Sequence, residues 1–141
     1  MNQRNEIVFD LIPEHRLCRF FGRGLVALSD IMVGIEQVNR HQDFHSDFST
    51  VVCFEEATVS FGEGDLSRYR DFFRKHQEGR TVTRWALVAG DDITVSTARL
   101  AHLLEARTRI SFKSFRDRKD ALRWLGRPTH LADLPGPWTT A

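Results

Sequence analysis

Residues 81–105 read TVTRWALVAGDDITVSTARLAHLLE, and this stretch decides the predicted fold. Trp85 to Ala89 is an apolar run of strand length, which predicts a strand that is covered on both faces. Gly90-Asp91-Asp92 is a turn sequence that ends in a residue able to cap a helix. The segment from Ile93 to Glu105 then predicts a helix that packs back on the sheet. Strand, turn and helix in this order make half of a βαβ unit.

The flanking segments repeat this alternation of strands and helices. Strands are predicted at 6–12, 17–21, 50–54 and 108–113, and helices at 29–40, 65–78 and 117–125. Pro13-Glu14-His15 predicts a hairpin loop, so the first two strands should be antiparallel. The later strands alternate with helices, which implies parallel pairing through right-handed crossovers. Residues 55–63 are predicted to be a connection.

The predicted fold is therefore a single α/β domain with the order β-β-α-β-α-β-α-β-α. Its sheet is mixed, mostly parallel and five-stranded, and helices pack around it. The side chains expected to be buried at its centre are Val52, Phe54, Leu87 and Leu104. Residues 1–126 form the predicted domain, and 127–141, with three of the four prolines, form a Pro-rich irregular tail that Trp138 could anchor.

Length and composition describe an ordinary globular chain of 141 residues, with 41% hydrophobic and 28% charged residues. No apolar run approaches the roughly 18 residues of a membrane span. The first residues lack the pattern of a signal peptide, so a cytoplasmic location is expected. Cys18 and Cys53 both lie in apolar runs, which favours buried free thiols in a reducing compartment.

Charge is unevenly distributed, although the whole chain carries only +1. Residues 107–127 hold eight basic and two acidic side chains, a local net charge of +6. Such a segment can bind nucleic acid or an acidic partner. A solvated face on the last strand and helix is the favoured interpretation, so we do not expect nucleic-acid binding.

Five local sequences, taken in order, resemble one family of small domains. They are LCRFFGRG at 17–24, HQDF at 41–44, WALVAGDD at 85–92, SFRD at 114–117 and ALRWLG at 121–126. Together they resemble the SpoIIAA-like or STAS families, which are named for anti-sigma-factor antagonists and sulfate-transporter domains, and within them the small stand-alone group. The resemblance implies an α/β fold and a non-enzymatic regulatory or interaction role.

One departure from that family concerns phosphorylation. Antagonist-type members carry an Asp-Ser pair, with a phosphorylatable Ser, just before the helix that follows the third strand. The corresponding segment here is 58–65, TVSFGEGD, and it contains no Asp-Ser pair. Because that pair is absent, a phosphorylation switch is not supported. Ser60 is the nearest hydroxyl to the expected position.

Several residue patterns could carry chemistry, and each has a simpler structural interpretation. His41, Asp43, His45 and Asp47 alternate and have the ligand types of a zinc site. A polar loop that Phe44 and Phe48 pin to the core is the favoured interpretation, and we expect no metal. Gly62-Glu63-Gly64 precedes a predicted helix but lacks the Lys of a phosphate loop.

Three further patterns are similarly ambiguous. Asp91 and Asp92 could act as an acid–base pair, although an Asp at a helix start is expected from capping alone. Cys53 could be a nucleophile, although its apolar neighbours predict an inert thiol. An aromatic row could line a lipid site or simply be core: Phe61, Tyr69, Phe72, Phe73 and His76.

The functional prediction rests on the crevice beyond the carboxyl ends of the third and fourth strands. Six residues are expected there: Glu55, Glu56, Ser60, Glu63, Asp91 and Asp92. Their negative charge would attract a basic protein segment and repel phosphates. We predict a non-enzymatic cytoplasmic regulatory or protein-interaction module, without cofactor, that binds a protein partner and self-associates as a homodimer. A carrier of a small apolar ligand or lipid is the alternative, and an enzyme of unknown reaction is third.

Overall fold

The computed structural model describes residues 6–45, 47–60, 67–68, 71, 75, 83–89 and 110–136. Within these ranges it contains five strands: β1 (Glu6–Ile12), β2 (Leu17–Ala27), β3 (Ser49–Ser60), β4 (Thr83–Ala89) and β5 (Ile110–Phe115). Two helices are α1 (Leu28–Arg40) and α2 (Arg118–Trp124). Of the predicted helix 65–78, the four described residues are helical and exposed: Ser67, Arg68, Asp71 and Lys75. The predicted helix 93–105 lies outside the described residues.

The five strands form one sheet in the order β1-β2-β3-β4-β5. β1 and β2 are antiparallel, and every pair from β2 to β5 is parallel. The helix α1 connects β2 to β3, as expected for a parallel pair. The predicted mixed, mostly parallel sheet is confirmed, including the single antiparallel hairpin.

The hairpin turns through a short 3-10 helix, Pro13–His15. Pro13 supplies the fixed φ that a first helical turn requires. Arg16 follows in the left-handed region, with φ 50°, and its backbone N–H donates to the Pro13 carbonyl over 3.1 Å. This turn sets the ladder register, which runs without a break from Ile12 opposite Leu17 to Glu6 opposite Arg23.

Capping residues fix the starts of both described helices. The Asp117 side chain accepts a hydrogen bond from the Lys119 backbone N–H over 3.1 Å, so Asp117 is the N-cap of α2. Asp30 accepts instead from the Ala27 backbone N–H, also over 3.1 Å. Asp30 therefore lies inside the first turn and reaches back to the residue before the helix, which is half of a capping box.

The sheet is covered on both faces, and each face has its own apolar cluster. The α1 side holds Cys18, Phe20, Val26, Ile31, Ile35, Val38, Val52, Phe54, Ala57, Trp85, Leu87 and Ala89. The α2 side holds Leu17, Phe21, Val51, Cys53, Ala86, Val88, Ala121, Leu122, Leu125 and Leu131. Val52, Phe54 and Leu87 are buried as predicted, and Leu104 lies outside the described residues.

The lengths of β2 and β3 differ from the prediction. β2 was expected to stop at Phe21 and β3 at Phe54, but their parallel ladder continues to Ala27 opposite Ser60. The prediction that 55–63 is a connection is therefore wrong for residues 55–60. The ladder continues past this point through an irregularity: β3 has one more residue than β2 between the pairs Phe21–Cys53 and Arg23–Glu56.

The segment after α2 folds onto the α2 side of the sheet. Thr129–Asp133 form a second short 3-10 helix, in which Leu131 is 4% exposed. Arg127 Nε donates to the His15 carbonyl over 2.6 Å, and Arg127 Nη2 donates to the Arg16 carbonyl over 3.1 Å. A domain boundary after residue 126 remains a prediction, and Trp138 lies outside the described residues.

Candidate functional site

A two-stranded ribbon extends beyond the rest of the described sheet, at the carboxyl ends of β2 and β3. We define the ribbon as Gly24–Ala27 with Ala57–Ser60. Among the described residues, the last pair of β3 with β4 is Phe54 with Ala89, and the last pair of β2 with β1 is Arg23 with Glu6, so within these ranges the two strands of the ribbon pair only with each other. One side of the ribbon is buried in the α1-side core through Val26 and Ala57.

The opposite side of the ribbon presents exposed side chains. Leu25 is 53% exposed, and Thr58, its register partner on β3, is also exposed. Glu56 precedes Thr58 by two residues on the same strand, so both side chains point to the same side. A large apolar side chain therefore lies beside an exposed carboxylate at this end of the sheet.

Gly22 is the residue that makes the irregularity possible. Phe21 is opposite Cys53 and Arg23 is opposite Glu56, so Phe54 and Glu55 together face Gly22. A Cβ atom on Gly22 would lie 2.6 Å from Phe54 Cε1, which is closer than packed atoms approach. The extra residue also brings two consecutive glutamates, Glu55 and Glu56, to exposed positions within β3.

The structure accounts for part of the predicted acidic crevice. Glu55 and Glu56 are exposed inside β3, and Ser60 is its last residue. Glu63, Asp91 and Asp92 lie outside the described residues. The convergence of all six residues at one crevice therefore remains a prediction.

Glu55 already has a basic partner from the positively charged segment. Arg118 Nε lies 2.7 Å from Glu55 Oε2, and Arg118 Nη2 lies 3.1 Å from Glu55 Oε1. This two-point hydrogen bond raises the pKa of the Arg118 guanidinium, while its partial burial acts in the opposite direction. Because its charge is compensated, Glu55 is a weaker attractant for a basic partner than the sequence indicated.

Arg19 is a buried charge that was not among the predicted site residues. Its Nε donates to Asp10 Oδ1 over 2.8 Å, and its Nη2 donates to Asp10 Oδ2. Nη1 and Nη2 also donate to the Leu134 and Pro135 carbonyls, over 3.3 and 3.1 Å. The guanidinium carbon lies 4.9 Å from the centre of the Phe21 ring. Arg19 thus holds the C-terminal segment on the sheet.

A small cavity adjoins Arg19 on the α2 side. It is lined by Arg19, Phe21, Val51, Cys53, Arg118, Leu122, Leu131 and Ala132 and has a volume of about 10 Å³. That volume holds about one water molecule. Both arginines at its wall are bonded to carboxylates, so the site is electrically balanced rather than an anion receptor.

The two cysteines are buried free thiols, as predicted. Burial raises the pKa of Cys53 to about 12 and raises that of Cys18 further, because a thiolate would lose its solvation. A thiol with such a pKa remains protonated at neutral pH, and the protonated form is a poor nucleophile. Their environments match the inert thiols that the sequence indicated.

Residues 41–45 and 47–48 lie in the connection between α1 and β3, as predicted for the polar loop. Phe48 is 3% exposed, and its ring centre lies 5.5 Å from that of Phe44. His41 Nδ1 accepts a hydrogen bond from the Asp43 backbone N–H over 3.1 Å, and Asp47 pairs with Arg16. Among the described residues, no group of three or more His, Cys, Asp or Glu side chains is placed to hold a metal ion.

Other sequence-level candidates lie outside the described ranges. These are the segment Gly62-Glu63-Gly64 and the aromatic row Phe61, Tyr69, Phe72, Phe73 and His76.

The described part of the basic segment 107–127 is largely engaged within the chain. Arg118 binds Glu55, Arg123 binds Asp120 over 2.8 Å, and Arg127 donates to the His15 carbonyl over 2.6 Å.

Comparison with known proteins identifies the fold. No protein-family model matches the sequence, and the comparison with curated proteins gives no significant match. A similar solved structure is the crystal structure of an uncharacterised protein of the DUF3478 family from Shewanella loihica PV-4, described as having a SpoIIAA-like fold. The two chains are 17% identical, with a TM-score of 0.59, and the similarity covers 89% of this chain and 98% of the other.

The architecture and this similarity define an α/β domain with a SpoIIAA-like fold. The predicted resemblance is therefore confirmed at the level of the fold. In the part of the chain that the structure describes, no helix is long and apolar enough to cross a membrane.

Proposed function

We propose that this chain is a non-enzymatic cytoplasmic regulatory or interaction module that binds a basic protein segment at the ribbon and the acidic residues beside it. The observation that carries the proposal is the exposed face of the ribbon, where Leu25 is 53% exposed beside Thr58 and the exposed Glu56. Exposed apolar surface bordered by charge is typical of protein-interaction sites. The predicted residues Ser60, Glu63, Asp91 and Asp92 would extend its acidic border.

The chemistry of this face favours a protein segment over a nucleotide or nucleic acid. Carboxylates repel phosphate groups and attract Lys and Arg side chains. Leu25 offers an apolar contact that a basic segment with an adjacent apolar residue could cover. Glu55 is bonded to Arg118, so we assign the attraction to Glu56 and to the acids at positions 63, 91 and 92.

The two other candidate functions receive less support from the described residues. Sites for small molecules typically occupy about 300–1,000 Å³, whereas the cavity beneath α2 has a volume of about 10 Å³. That cavity could not hold a lipid. For an enzyme, the buried thiols are protonated at neutral pH, and the described carboxylates near Arg19 and Arg118 serve as ion-pair partners.

The first test compares two variants, each of which loses four negative charges. In one variant the charges are removed at the proposed site, and in the other they are removed elsewhere. The site variant combines Glu56→Gln, Glu63→Gln, Asp91→Asn and Asp92→Asn. The control combines Glu14→Gln, Asp43→Asn, Asp120→Asn and Asp133→Asn, all exposed acids elsewhere. Each changes the net charge by the same amount, so a general charge effect would appear in both.

Quantitative pull-down and mass spectrometry should identify a basic partner retained by the unmodified chain and by the control variant. The site variant should lose it, with a nearly unchanged melting temperature. Capture should also weaken as salt rises, because exposed charges are screened within about 8 Å at physiological ionic strength. Retention by the site variant would contradict the proposal.

The second test examines the apolar part of the face. Leu25→Gln should weaken binding of the same partner, because it removes the apolar contact. Val33→Gln on α1 is the matched control, since Val33 is 55% exposed and Leu25 is 53% exposed. Equal affinity of the two variants would show that the ribbon is not the binding surface.

A further inference from the structure

β1 lies at one edge of the described sheet, with its outer side facing away from the other described strands. In the part of the chain that the structure describes, its one neighbouring strand is β2. The strand is seven residues long, and each of its side chains is half-buried. An edge strand presents a row of backbone donors and acceptors that can pair with another strand.

The two edges of the described sheet differ in their protection against such pairing. β5 has the sequence ISFKSF, in which Lys113 and Ser114 are exposed. Lysine on an edge is a common device against pairing. β1 has the sequence EIVFDLI, with five apolar residues of seven, no Lys, no Pro and no interruption of its register. The β1 edge therefore lacks the protection that β5 has.

The two acidic residues of β1 do not protect it, because β2 compensates their charges. Asp10 binds the guanidinium of Arg19 through two oxygens, and Arg23 Nη2 lies 3.2 Å from Glu6 Oε2. Both ion pairs lie across the same hairpin ladder. A strand that approaches from outside would thus meet a row of apolar side chains and two paired carboxylates.

The sequence of β1 is complementary to itself in one orientation. In an antiparallel pair of two copies centred on Phe9, Glu6 faces Ile12, Ile7 faces Leu11 and Val8 faces Asp10. Apolar residues then face each other or a compensated acid, and no like charges are directly opposed. A parallel, in-register pair would instead oppose Glu6 to Glu6 and Asp10 to Asp10, which is destabilising.

We propose that two copies of this chain associate through antiparallel pairing of their β1 strands about a two-fold axis at Phe9. The pairing joins the two sheets into one and extends the apolar clusters on both faces across the axis. Ile7, Phe9 and Leu11 pack against the α1-side core, and Val8 and Ile12 pack against the α2-side core. This surface is separate from the ribbon, so the proposal stands independently of the proposed function.

The first measurement is the oligomeric state of the full chain by sedimentation equilibrium at tens of micromolar. The expected mass is twice that of the monomer. The Leu25→Gln variant should remain a dimer, because the ribbon is not part of this interface. A monomer throughout the accessible concentration range would overturn the proposal.

The second measurement tests the register by disulfide cross-linking. Phe9→Cys places two thiols at the axis, where paired Cα atoms lie about 4.5–5.5 Å apart, within the range of a disulfide. Leu11→Cys is the control, since it lies on the same strand and face. Leu11 faces Ile7, so its own copies lie about 13 Å apart along the strand, beyond the reach of a disulfide.

Under mild oxidation Phe9→Cys should form a covalent dimer, and Leu11→Cys should not. The native Cys18 and Cys53 are buried and should not compete. If Phe9→Cys folds poorly by circular dichroism, a mixture of Ile7→Cys and Leu11→Cys chains replaces it and should form mixed disulfides. A dimer that cross-links in neither arrangement uses another surface and contradicts the proposal.

Discussion

The guanidinium group of Arg19 lies buried within the sheet, where an unpaired charge would be strongly unfavourable. Asp10 supplies two acceptors, and the Leu134 and Pro135 carbonyls supply two more. These contacts join the hairpin to a segment more than a hundred residues later in the chain. Arg19 therefore contributes to tertiary structure through bonds that depend on Asp10.

Replacing Asp10 with Asn should lower the free energy of unfolding by about 2–3 kcal/mol, measured by urea denaturation. Removing one partner of a fully buried pair typically costs about 3–5 kcal/mol. The expected loss is smaller here because the Asp10 side chain is 32% exposed and the two carbonyls remain. A loss below about 1 kcal/mol would show that those carbonyls compensate Arg19 by themselves.

Asp120→Asn is the matched control for this change. Asp120 binds Arg123 over 2.8 Å, but the two side chains are 58% and 67% exposed. Exposed pairs of this kind contribute less than about 1 kcal/mol, since water screens the charges. The contrast between the two variants isolates the effect of burial.

The position of the hairpin turn in the sequence is sufficient to predict the ion pair between Asp10 and Arg19. Asp10 and Arg19 lie at equal distances from the hairpin turn, as do Glu6 and Arg23. Once the turn is predicted, both acid–arginine pairs follow from the ladder register. The carbonyls of Leu134 and Pro135 could not be predicted, because no local pattern links residue 19 to residues 134–135.

At the level of elements, the extension of β3 shows where a periodic pattern misleads. Glu55-Glu56 interrupts the apolar run at the point where a strand would be expected to end. The extra residue opposite Gly22 accommodates both glutamates, and alternation resumes with Ala57 on the buried side and Thr58 exposed. The alternation in 56–60 was visible in the sequence, but the irregularity that connects it to β3 was not.

The short 3-10 helix Thr129–Asp133 is an element that has no sequence periodicity. Its position is set by Leu131, which is buried between the sheet and α2, and by the bonds from Arg127 and Arg19 to neighbouring carbonyls. These are long-range contacts, so the segment appeared irregular in the sequence. The contribution of this segment to the free energy of unfolding depends on how much the burial of Leu131 stabilises the domain.

Leu131→Ala should destabilise the domain by about 2–5 kcal/mol, because truncating a buried leucine leaves a cavity. Leu134→Ala is the control from the same segment, and it should cost less than about 1 kcal/mol because surface substitutions have small effects. Leu131 is 4% exposed and Leu134 is 38% exposed. Urea denaturation of both variants measures the difference. Equal losses would mean that residues 129–134 do not stabilise the domain through burial.

For the molecule as a whole, the sequence predicted the layered plan because its central strands are continuous apolar runs. Val51 to Phe54 and Trp85 to Ala89 supply side chains to both faces of the sheet. Strand–helix alternation then indicated parallel pairing. The candidate site was predicted less well, since Glu55 proved to be bonded to Arg118, a contact between residues 63 positions apart.

The two buried thiols make it possible to ask whether the two faces of the sheet open together. Cys18 belongs to the α1-side core and Cys53 to the α2-side core. β2 and β3 contribute side chains to both cores, so losing the packing on one face weakens the strands that support the other face. We therefore expect one cooperative unit, in which both thiols become accessible only through global unfolding.

Thiol labelling in increasing urea tests this expectation with two single-cysteine variants, Cys18→Ala and Cys53→Ala. Each remaining thiol should be labelled at a rate that reports the free energy of unfolding of its own variant, with the same dependence on urea. Labelling of Cys53 at a lower free energy than Cys18, and with a smaller urea dependence, would show that the α2 layer opens separately.

The dependence of the free energy of unfolding on pH tests independently whether both thiols are buried. Burial raises the pKa of Cys53 from 9.0 to about 12 and that of Cys18 in the same direction, so both thiols keep their protons in the folded state. Between these values the unfolded chain releases protons that the folded chain retains. The thiol contribution to stability is therefore complete below about pH 9 and declines as the pH rises towards 12. Replacing both cysteines with Ala should reduce this alkaline decline, measured as the free energy of unfolding at pH 8 and pH 10. An unchanged decline would mean that other groups cause it and that the thiols are less well buried than the fold indicates.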